Sequence, residues 1–293
     1  MNYFRLFFLT LALQCFATDW QEQRAFFQEN GYVWLKKFFS PEQMENLHNL
    51  TEEINRDSEK ILALMQESSD PSEITKRADT LIVVPEARDP NLTCRAEDML
   101  SCYPELYSLI STTVTSYIEH LMQEPYVAFK DKINFKWPGG GAFTPHQDFP
   151  AYEPFGPKEY ITAMVCVDSA TLENGCLQVA SKWKETFADE LQKSLVLPFV
   201  IGGKNHGSIE PSLTKKITWL PLEAEPGDVL IFNSFVPHYS EPNMSSKARR
   251  AMFFTYNKLT DGDLRGAYYH AKRTDPNNPL FHIGTPTKAR TKE

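Results

Sequence analysis

A histidine and an aspartate stand two residues apart in the segment TPHQDFP, at His146 and Asp148. In an extended strand, the side chains of residues i and i+2 point to the same face. The two side chains are therefore predicted to project together into the mouth of a barrel. Such a pair occurs by chance in many proteins, so a metal site needs a third ligand from a distant strand.

The third candidate ligand is His238, which follows a turn and an apolar strand in the segment EPGDVLIFN. Two histidines and one carboxylate can occupy one face of Fe(II) and leave its other positions open for a substrate and O₂. We therefore interpret His146, Asp148 and His238 as a facial triad for iron.

An arginine and a serine beyond His238 supply groups that bind an organic acid. Ser240 lies two residues after His238, and Arg249 lies eleven residues after it. A guanidinium binds a carboxylate through two parallel hydrogen bonds, and a hydroxyl can add another. Arginines at the start of a strand are usually solvated, so these residues alone leave that alternative open.

The elements that must position these residues are short strands that follow a helical N-terminal half. The helical patterns cover residues 20–30, 41–68 and 103–122, and the second begins at a capping box formed by Ser40 and Gln43. The strand patterns cover residues 31–39, 126–137, 160–167, 177–180, 217–222, 228–232 and 250–256. Short strands broken by turns, with helices before them, predict an α+β, mainly β fold: a jelly roll that carries helices on one face.

The motifs of this chain, in their order and spacing, resemble the phytanoyl-CoA dioxygenase family. The likeness runs from about Phe26 to about Asn257 and includes the opening segment FFQENGYVWLKKFFSPEQ. The motifs that carry it are His146-x-Asp148, LENGC (172–176), PGD (226–228), His238-x-Ser240, Asn243-x-Ser245 and Arg249. The family consists of Fe(II)- and 2-oxoglutarate-dependent oxygenases built on a double-stranded β-helix, which is a jelly roll.

The resemblance implies three cofactors or cosubstrates, which are Fe(II), 2-oxoglutarate and O₂. It implies that His146, Asp148 and His238 bind the iron. It also implies that Arg249 and Ser240 hold the distal carboxylate of 2-oxoglutarate.

The resemblance also suggests cosubstrate contacts on two neighbouring strands. Lys132 matches a position near the cosubstrate where the family often has a lysine, and Asn134 lies on the same strand face. Met164 stands where members often have a tryptophan, so it is expected to form a wall of the pocket without a stacking role. Thr162, on the same face, could supply a hydroxyl to the cosubstrate.

The resemblance implies hydroxylation of a C–H bond of a small molecule. Residues 132–152 look most like the branch that includes aminoethylphosphonate-type hydroxylases. The amides of the glycine run 139–141, with Lys136 nearby, could cradle an anionic head group, or the run could be a simple turn. Phe149 and Tyr152 could line an aromatic pocket that suits an ammonium group, although such aromatics are more often core.

Two other classes of function fit parts of the pattern. One is a relative that binds the ligand and has lost turnover, which the intact triad and Arg249 disfavour. The other is a cupin-like metal protein, such as an isomerase or a zinc protein, which would need neither Arg249 nor Ser240.

Charge and hydropathy limit the partners of the 293-residue chain. Its formal net charge of −8 argues against a nucleic-acid partner, because nucleic acids require a basic face. No interior stretch is apolar for the length that a membrane span requires. Residues 18–293 contain no evident linker and are predicted to form one domain.

The N-terminal residues 1–17 have the pattern of a signal peptide. They carry one arginine, followed by an uncharged apolar run over residues 6–17 that ends in small residues. This predicts the secretory pathway or export, and the alternative is a first helix packed on the core of a cytoplasmic protein. Of the cysteines beyond this segment, Cys166 and Cys176 lie in strand-like sequence and are expected to be buried thiols.

Overall fold

A computed structural model of the protein describes residues 20–203 and 205–283. The signal peptide predicted for residues 1–17 lies outside this part of the chain. No helix within the described ranges is both long and apolar enough to cross a membrane. Cys166 and Cys176 are buried free thiols, as the sequence predicts.

Helices dominate the first part of the described chain and recur in short pieces between later strands. The α-helices are α1 (Trp20–Asn30), α2 (Pro41–Glu67), α3 (Pro71–Thr75), α4 (Met99–Cys102), α5 (Pro104–Ile110), α6 (Ser116–Met122), α7 (Phe149–Tyr152), α8 (Trp183–Thr186), α9 (Pro211–Thr214) and α10 (Arg265–Thr274). A π-helical segment, Ser111–Thr115, joins α5 to α6. Short 3₁₀ helices lie at Glu153–Phe155, Glu190–Gln192, Leu259–Asp261 and Pro279–His282.

Eleven strands of the described chain form two antiparallel sheets. They are β1 (Tyr32–Leu35), β2 (Ile82–Pro85), β3 (Thr93–Glu97), β4 (Tyr126–Lys136), β5 (Phe143–His146), β6 (Ile161–Cys166), β7 (Leu177–Ser181), β8 (Thr218–Pro221), β9 (Val229–Asn233), β10 (His238–Ser240) and β11 (Arg249–Lys258). The larger sheet has the order β1-β9-β6-β11-β4-β3-β2, and the smaller has the order β5-β10-β7-β8. Two such sheets with helices on one face form the predicted jelly roll.

The helix α2 begins where its sequence requires it to begin. The Ser40 hydroxyl accepts a hydrogen bond from the Gln43 backbone amide, and the Ser40 amide donates to the Gln43 side chain at 2.9 Å. Leu47, Leu50 and Ile54, spaced along one face, are buried in the core that helices share with the larger sheet. The capping box and the apolar face together explain why this helix is predicted correctly.

Strand β6 shows how the larger sheet separates two cores. Ala163 and Val165 pack into the core beneath the helices. Met164 and Cys166, on the opposite face, pack into the core between the two sheets. Because strand side chains alternate, one strand serves both layers, and the face that carries Met164 lines the barrel interior.

Several elements differ from the sequence-based expectation, including the short strands β2 and β10, which were not predicted. The first predicted strand is shorter than residues 31–39, because the chain turns at Lys37, which has a φ of 53°. Strand β3, with the sequence TCRAE, and helix α10, in an apparently polar tail, were not predicted. Both are rich in charged residues, which pair inside the molecule instead of facing solvent.

Candidate metal and cosubstrate site

Two strands of the smaller sheet bring the histidines of the triad together. His146 on β5 and His238 on β10 are direct partners across the antiparallel pair. Their ring centroids are 4.3 Å apart. The predicted convergence of two distant histidines is therefore present, and it depends on the register of β5 with β10.

Asp148 joins the histidines by a route that the sequence-based interpretation did not foresee. Strand β5 ends at His146, and Asp148 has helical dihedral angles at the start of α7. The backbone amides of Asp148 and Phe149 both donate to the Ser234 carbonyl, at 3.0 and 3.1 Å. The prediction that His146 and Asp148 point to one face because of strand alternation is therefore wrong in its reason. The hydrogen-bonded turn after β5, and not a strand, orients the Asp148 carboxylate.

The three side chains form a compact set of ligand atoms. Asp148 Oδ1 lies 3.7 Å from His146 Nε2 and 3.9 Å from His238 Nε2. Across the described ranges, this is the one group of three or more such side chains with ligand atoms within 4.8 Å of one another. Two imidazole nitrogens and one carboxylate oxygen suit a divalent first-row metal and leave positions for other ligands.

Backbone carbonyls set the orientation of both imidazoles. His146 Nδ1 donates to the Thr144 carbonyl at 2.6 Å, and His238 Nδ1 donates to the Val236 carbonyl at 2.9 Å. Each bond fixes the tautomer in which Nε2 keeps a free lone pair. The Nε2 atoms are the ones that face Asp148, so the protein holds both histidines ready to bind a metal.

Burial tunes the protonation of the ligand set. Burial, followed by the neighbouring His238, lowers the pKa of His146 to about 3. Burial acts to raise the pKa of Asp148, but His238, His146 and Lys132 outweigh it and the net shift is downward. At neutral pH the set therefore contains a neutral imidazole at His146 and an ionised carboxylate, which are the forms that bind metal.

A second polar group lies where strand β11 of the larger sheet begins. Arg249 is the strand partner of Lys136 on β4, and its guanidinium donates to the Gly175 carbonyl at 2.8 Å. The Arg249 Nε atom is buried and has no hydrogen-bond partner among the described residues. Lys136 Nζ donates to the Ser240 hydroxyl at 2.8 Å. Arg249, Lys136 and Ser240 thus form one buried cluster.

This cluster is strongly cationic. Burial lowers the pKa of Arg249, and burial together with the Arg249 charge lowers the pKa of Lys136 to about 7. Neither side chain forms an ion pair with a carboxylate of the described chain. Two buried cations with an unpaired N–H fit a carboxylate ligand such as the distal end of 2-oxoglutarate.

Lys136 lies close to Gly140 of the glycine run, and its Nζ also reaches the Ser240 hydroxyl. The amides of Gly139 and Gly140 donate to the carbonyls of Asn243 and Trp137, at 2.7 Å each. These amides are therefore used within a turn, and Gly139 has the positive φ of 76° that such a turn requires. The run joins β4 to β5 and does not cradle an anion with these two amides.

The four remaining cosubstrate candidates line the face that leads from this cluster along the larger sheet. Asn134 Oδ1 is buried without a hydrogen-bond partner in the described chain. Burial and the Lys130 charge lower the pKa of Lys132 to about 8. Thr162 Oγ1 lies 3.0 Å from Thr255 Oγ1, so its hydroxyl already has a neighbour, and Met164 is a buried wall.

The two aromatic substrate candidates separate in the structure. Phe149 is buried and stacks on Phe235 with ring centroids 4.4 Å apart, so it belongs to the core. Tyr152 faces the interior of the larger sheet, where Lys130 Nζ lies 5.3 Å from its ring centroid. Both rings are buried in the same apolar core, and of the two only Tyr152 lies near a buried cation of the described chain.

Sequence reasoning missed four charged residues on the same interior face. They are Arg95, Glu97, Lys130 and Lys272. One signal was available, since Lys130, Lys132 and Lys136 all occupy even-numbered positions of strand β4 and so share a face. The other residues come from β3 and α10, whose sequences give no amphipathic pattern.

The fold and the site together define a class of protein. A jelly roll that brings two histidines and one carboxylate beside a buried arginine is the arrangement of non-haem iron oxygenases that use 2-oxoglutarate. The family model of phytanoyl-CoA dioxygenase (PhyH) matches residues 27–251. The chain belongs to the phytanoyl-CoA dioxygenase family, and it is an Fe(II)- and 2-oxoglutarate-dependent dioxygenase.

Two relatives cover most of the chain. A 2-aminoethylphosphonate dioxygenase of the uncultured bacterium HF130_AEPn_1 is 37% identical over 257 residues, which cover 86% of this chain and 87% of the relative. A methylphosphonate hydroxylase of Gimesia maris is 34% identical over 257 residues, which cover 87% of this chain and 86% of the relative.

Solved structures share the fold at low identity. EctD from S. alaskensis, with 2-oxoglutarate and 5-hydroxyectoine, has a TM-score of 0.61 at 19% identity, and the match covers 82% of this chain and 76% of that one. The epimerase SnoN, in complex with Fe³⁺, alpha ketoglutarate and nogalamycin RO, has a TM-score of 0.58 at 14% identity, and covers 82% and 84% of the two chains.

Proposed function

We propose that the protein hydroxylates a C–H bond of a small organophosphonate. Balanced, the reaction joins the substrate, O₂ and 2-oxoglutarate to give the hydroxylated substrate, succinate and CO₂. Two relatives that cover 86% and 87% of the chain carry the names of phosphonate oxygenases, and this supports the substrate class. The single observation that carries the chemistry is the compact triad in a barrel interior that also holds a buried arginine whose Nε has no partner among the described residues.

In this proposal, His146, Asp148 and His238 hold the iron through the Nε2 atoms and a carboxylate oxygen. When bound, Fe(II) with 2-oxoglutarate and O₂ supplies the oxidising power that converts a C–H bond to C–OH. The carbonyls of Thr144 and Val236 keep the imidazoles in the ligating tautomer. The protein thereby fixes which positions of the metal remain open.

The carboxylate end of 2-oxoglutarate would be held by Arg249, Ser240 and Lys136. Arg249 offers an unpaired N–H, and Lys136 offers a second cation 2.8 Å from the Ser240 hydroxyl. We therefore assign Lys136 to the cosubstrate and not to the substrate. Lys132, Asn134, Thr162 and Met164 would line the cosubstrate between this cluster and the metal, and Tyr152 remains a substrate contact.

The core around the site excludes water from the reacting atoms. Phe232 packs edge-on against His238 with ring centroids 5.1 Å apart, and Val179 and Val236 are fully buried beside it. A dry site strengthens each charge interaction and protects a reactive oxidant from side reactions.

The proposed function is tested by following product formation in the purified, Fe(II)-loaded protein. Methylphosphonate or 2-aminoethylphosphonate is added with 2-oxoglutarate in air, and the phosphonate product is identified by ³¹P nuclear magnetic resonance. We expect succinate and hydroxylated phosphonate in equal amounts. If succinate forms no faster with any phosphonate than without one, phosphonates are not the substrate.

The predicted signal peptide adds a proposal about location. If residues 1–17 are removed during export, the enzyme is a secreted or lumenal protein that begins at Thr18. N-terminal sequencing of the protein from its native host gives Thr18 in that case. An intact Met1 would favour the alternative of a cytoplasmic enzyme.

A further inference from the structure

A second group of cations lies on the interior face of β4, beyond the residues assigned to the cosubstrate. Lys130 is buried, and its Nζ lies 5.3 and 5.2 Å from the ring centroids of Tyr152 and Tyr268. Within residues 20–203 and 205–283, Lys130 Nζ forms no ion pair and no hydrogen bond. A buried ammonium that lies near two aromatic rings and has no hydrogen bond or ion pair of its own is a strong candidate for contact with an anionic ligand.

Arg95 on β3 is the neighbouring cation of this group. It is buried, and its Nε lies 2.7 Å from Glu97 Oε1. Its two terminal guanidinium nitrogens have no hydrogen-bond partner in the described chain. These nitrogens form the fork that binds two oxygens of a phosphate or phosphonate.

The carboxylates on this face are already engaged. Lys272 Nζ from α10 donates to both oxygens of Glu97, at 2.6 and 2.7 Å, and Arg95 contacts the same carboxylate. Asp148 stands with the two histidines of the triad. No carboxylate of the described residues therefore remains on this face to pair with an ammonium group.

The balance of charge favours a doubly charged anion. This part of the interior contains four cations and only two carboxylates among the described residues. The cations are Arg95, Lys130, Lys132 and Lys272, and the carboxylates are Glu97 and Asp148. Burial lowers the pKa of Lys130, the Glu97 carboxylate opposes this shift, and the Arg95 charge adds to it. A bound dianion would relieve that repulsion, and a phosphonate brings two charges on three oxygens.

We propose that Lys130 and Arg95 bind the phosphonate group of the substrate, an assignment that rests on the proposed function. The site recognises the anionic group of the substrate. It forms no ion pair with an amine elsewhere on the substrate. Lys130 lies six residues from Lys136 along one strand, so substrate and cosubstrate have separate cations, one near the middle of β4 and one at its end. Lys132 lies between them.

The test measures binding to the protein loaded with Fe(II) and 2-oxoglutarate without oxygen. Isothermal titration calorimetry with methylphosphonate, and separately with inorganic phosphate, is applied to wild type, Lys130→Met, Lys130→Arg and Arg95→Met. Lys60→Met, at an exposed position of α2, is the control. We expect Lys130→Met and Arg95→Met to raise both dissociation constants about 30-fold or more, and Lys130→Arg to raise them only a few-fold.

Two further readouts separate a direct contact from a structural role. The dissociation constant of 2-oxoglutarate should stay within a few-fold of wild type in every variant, which also shows that each variant is folded. Ethylamine should not compete with methylphosphonate. The assignment would be overturned if Lys130→Met binds methylphosphonate with wild-type affinity, or if it loses 2-oxoglutarate binding to the same extent. If Lys130→Met does not fold, Arg95→Met provides the test instead.

The outcome of this test differs from that of the proposed function. If wild type binds phosphate through Lys130 but hydroxylates no phosphonate, the anion site stands and the proposed substrate is wrong. If wild type hydroxylates methylphosphonate and Lys130→Met keeps the same KM and affinity, the proposed function stands and the assignment to Lys130 is wrong. If wild type binds neither anion, both are overturned.

Discussion

Consecutive arginines on β11 have opposite roles. Arg249 points into the barrel, where its Nε atom has no partner among the described residues. Arg250 points outward, and its Nε and a terminal nitrogen donate to the two oxygens of Asp168 at 2.7 and 2.9 Å. Strand alternation thus places one arginine in a structural ion pair and leaves the other available for a ligand.

Replacing Arg249 should weaken binding of the cosubstrate. Arg249→Ala is expected to raise the dissociation constant of 2-oxoglutarate about 100-fold, because a buried carboxylate loses its charged partner. Arg250→Ala is the matched control, with an unchanged dissociation constant. The values come from anaerobic titrations of the Fe(II)-loaded protein. Equal constants in wild type and Arg249→Ala would remove Arg249 from the site.

Lys136 should give cosubstrate binding a dependence on pH. Its pKa of about 7 lies below the usual range because of burial and the Arg249 charge. A carboxylate favours the charged form, so affinity is high below pH 7 and falls as pH rises above it, by at most about tenfold per pH unit. The other titratable groups that face Lys136 are Glu241, Cys94 and Cys176.

This dependence is measured as the dissociation constant of 2-oxoglutarate between about pH 6.5 and pH 8.5. Lys136→Met should bind more weakly at low pH and show a flat profile. Lys60→Met, an exposed substitution, should keep the wild-type slope. A flat wild-type profile would show that Lys136 does not change its protonation on binding.

At the scale of elements, Asn243 connects the end of β4 to the segment between β10 and β11. Its side-chain amide donates to the carbonyls of Lys136 and Lys247, at 2.8 and 2.7 Å, and its own carbonyl accepts from Gly139. Asn243 is fully buried. The strands that carry Lys136 and Arg249 are therefore tied together by one side chain.

Removing this connection should lower both stability and affinity. Asn243→Ala is expected to reduce the free energy of unfolding by about 1–3 kcal/mol, because the carbonyl of the buried Lys136 loses its side-chain donor. It should also weaken 2-oxoglutarate binding through Lys136. Denaturant unfolding measures the first effect, and Asn91→Ala, in an exposed loop, is the control. Wild-type stability in Asn243→Ala would contradict this account of the connection.

Elements whose causes are local could be predicted from the sequence. The capping box and apolar face of α2 lie within the helix itself, and strands β4, β6 and β9 have strongly apolar or alternating patterns. Strand β3 and helix α10 could not be predicted in this way. Glu97 and Lys272 pair with each other across 175 residues, so each has the pattern of a solvated charge when its own segment is considered alone.

The residues of the candidate site also divide into those that the sequence predicts and those that depend on distant contacts. The motif around His146 and Asp148, with His238 and Arg249, led to the expected cluster because residue types and order carried the information. Lys136 was grouped with the glycine run because the two are neighbours in the sequence, whereas its other partner, Ser240, lies 104 residues away. Spacing along β4 fixes the face of Lys136, but the register with β11 decides which ligand it meets.

At the scale of the whole molecule, α10 closes the interior of the larger sheet. Lys272 binds Glu97, and Arg273 donates to Asp98 at 2.7 Å. The Tyr269 hydroxyl donates to the Asp131 carbonyl at 2.9 Å. The C-terminal helix is therefore attached by charges and hydrogen bonds to β3, β4 and the turn after β3.

The attachment of α10 should depend more on Glu97 than on its other residues. Burial acts to raise the pKa of Glu97, but Lys272 and Arg95 outweigh it, and the net shift keeps the carboxylate ionised. Glu97→Gln leaves buried cations without a counter-charge and should lower the free energy of unfolding by about 3–5 kcal/mol. Glu105→Gln, at an exposed position, should change it by less than about 0.5 kcal/mol.

Denaturant unfolding at pH 7 measures both variants. A second readout is hydrogen exchange, which should show loss of protection in α10 in Glu97→Gln before it does so in α2. Stability equal to wild type would mean that the buried ion pairs do not attach the helix.

The central claim is that His146, Asp148, His238 and Arg249 form one site for Fe(II) and 2-oxoglutarate. The most direct measurement is visible absorption under argon, as 2-oxoglutarate is added to the protein with one equivalent of Fe(II). Wild type and the control His206→Ala should develop a metal-to-ligand charge-transfer band that saturates, and His238→Ala should not. A wild type without the band, or a His238→Ala variant with an undiminished band, would contradict the claim.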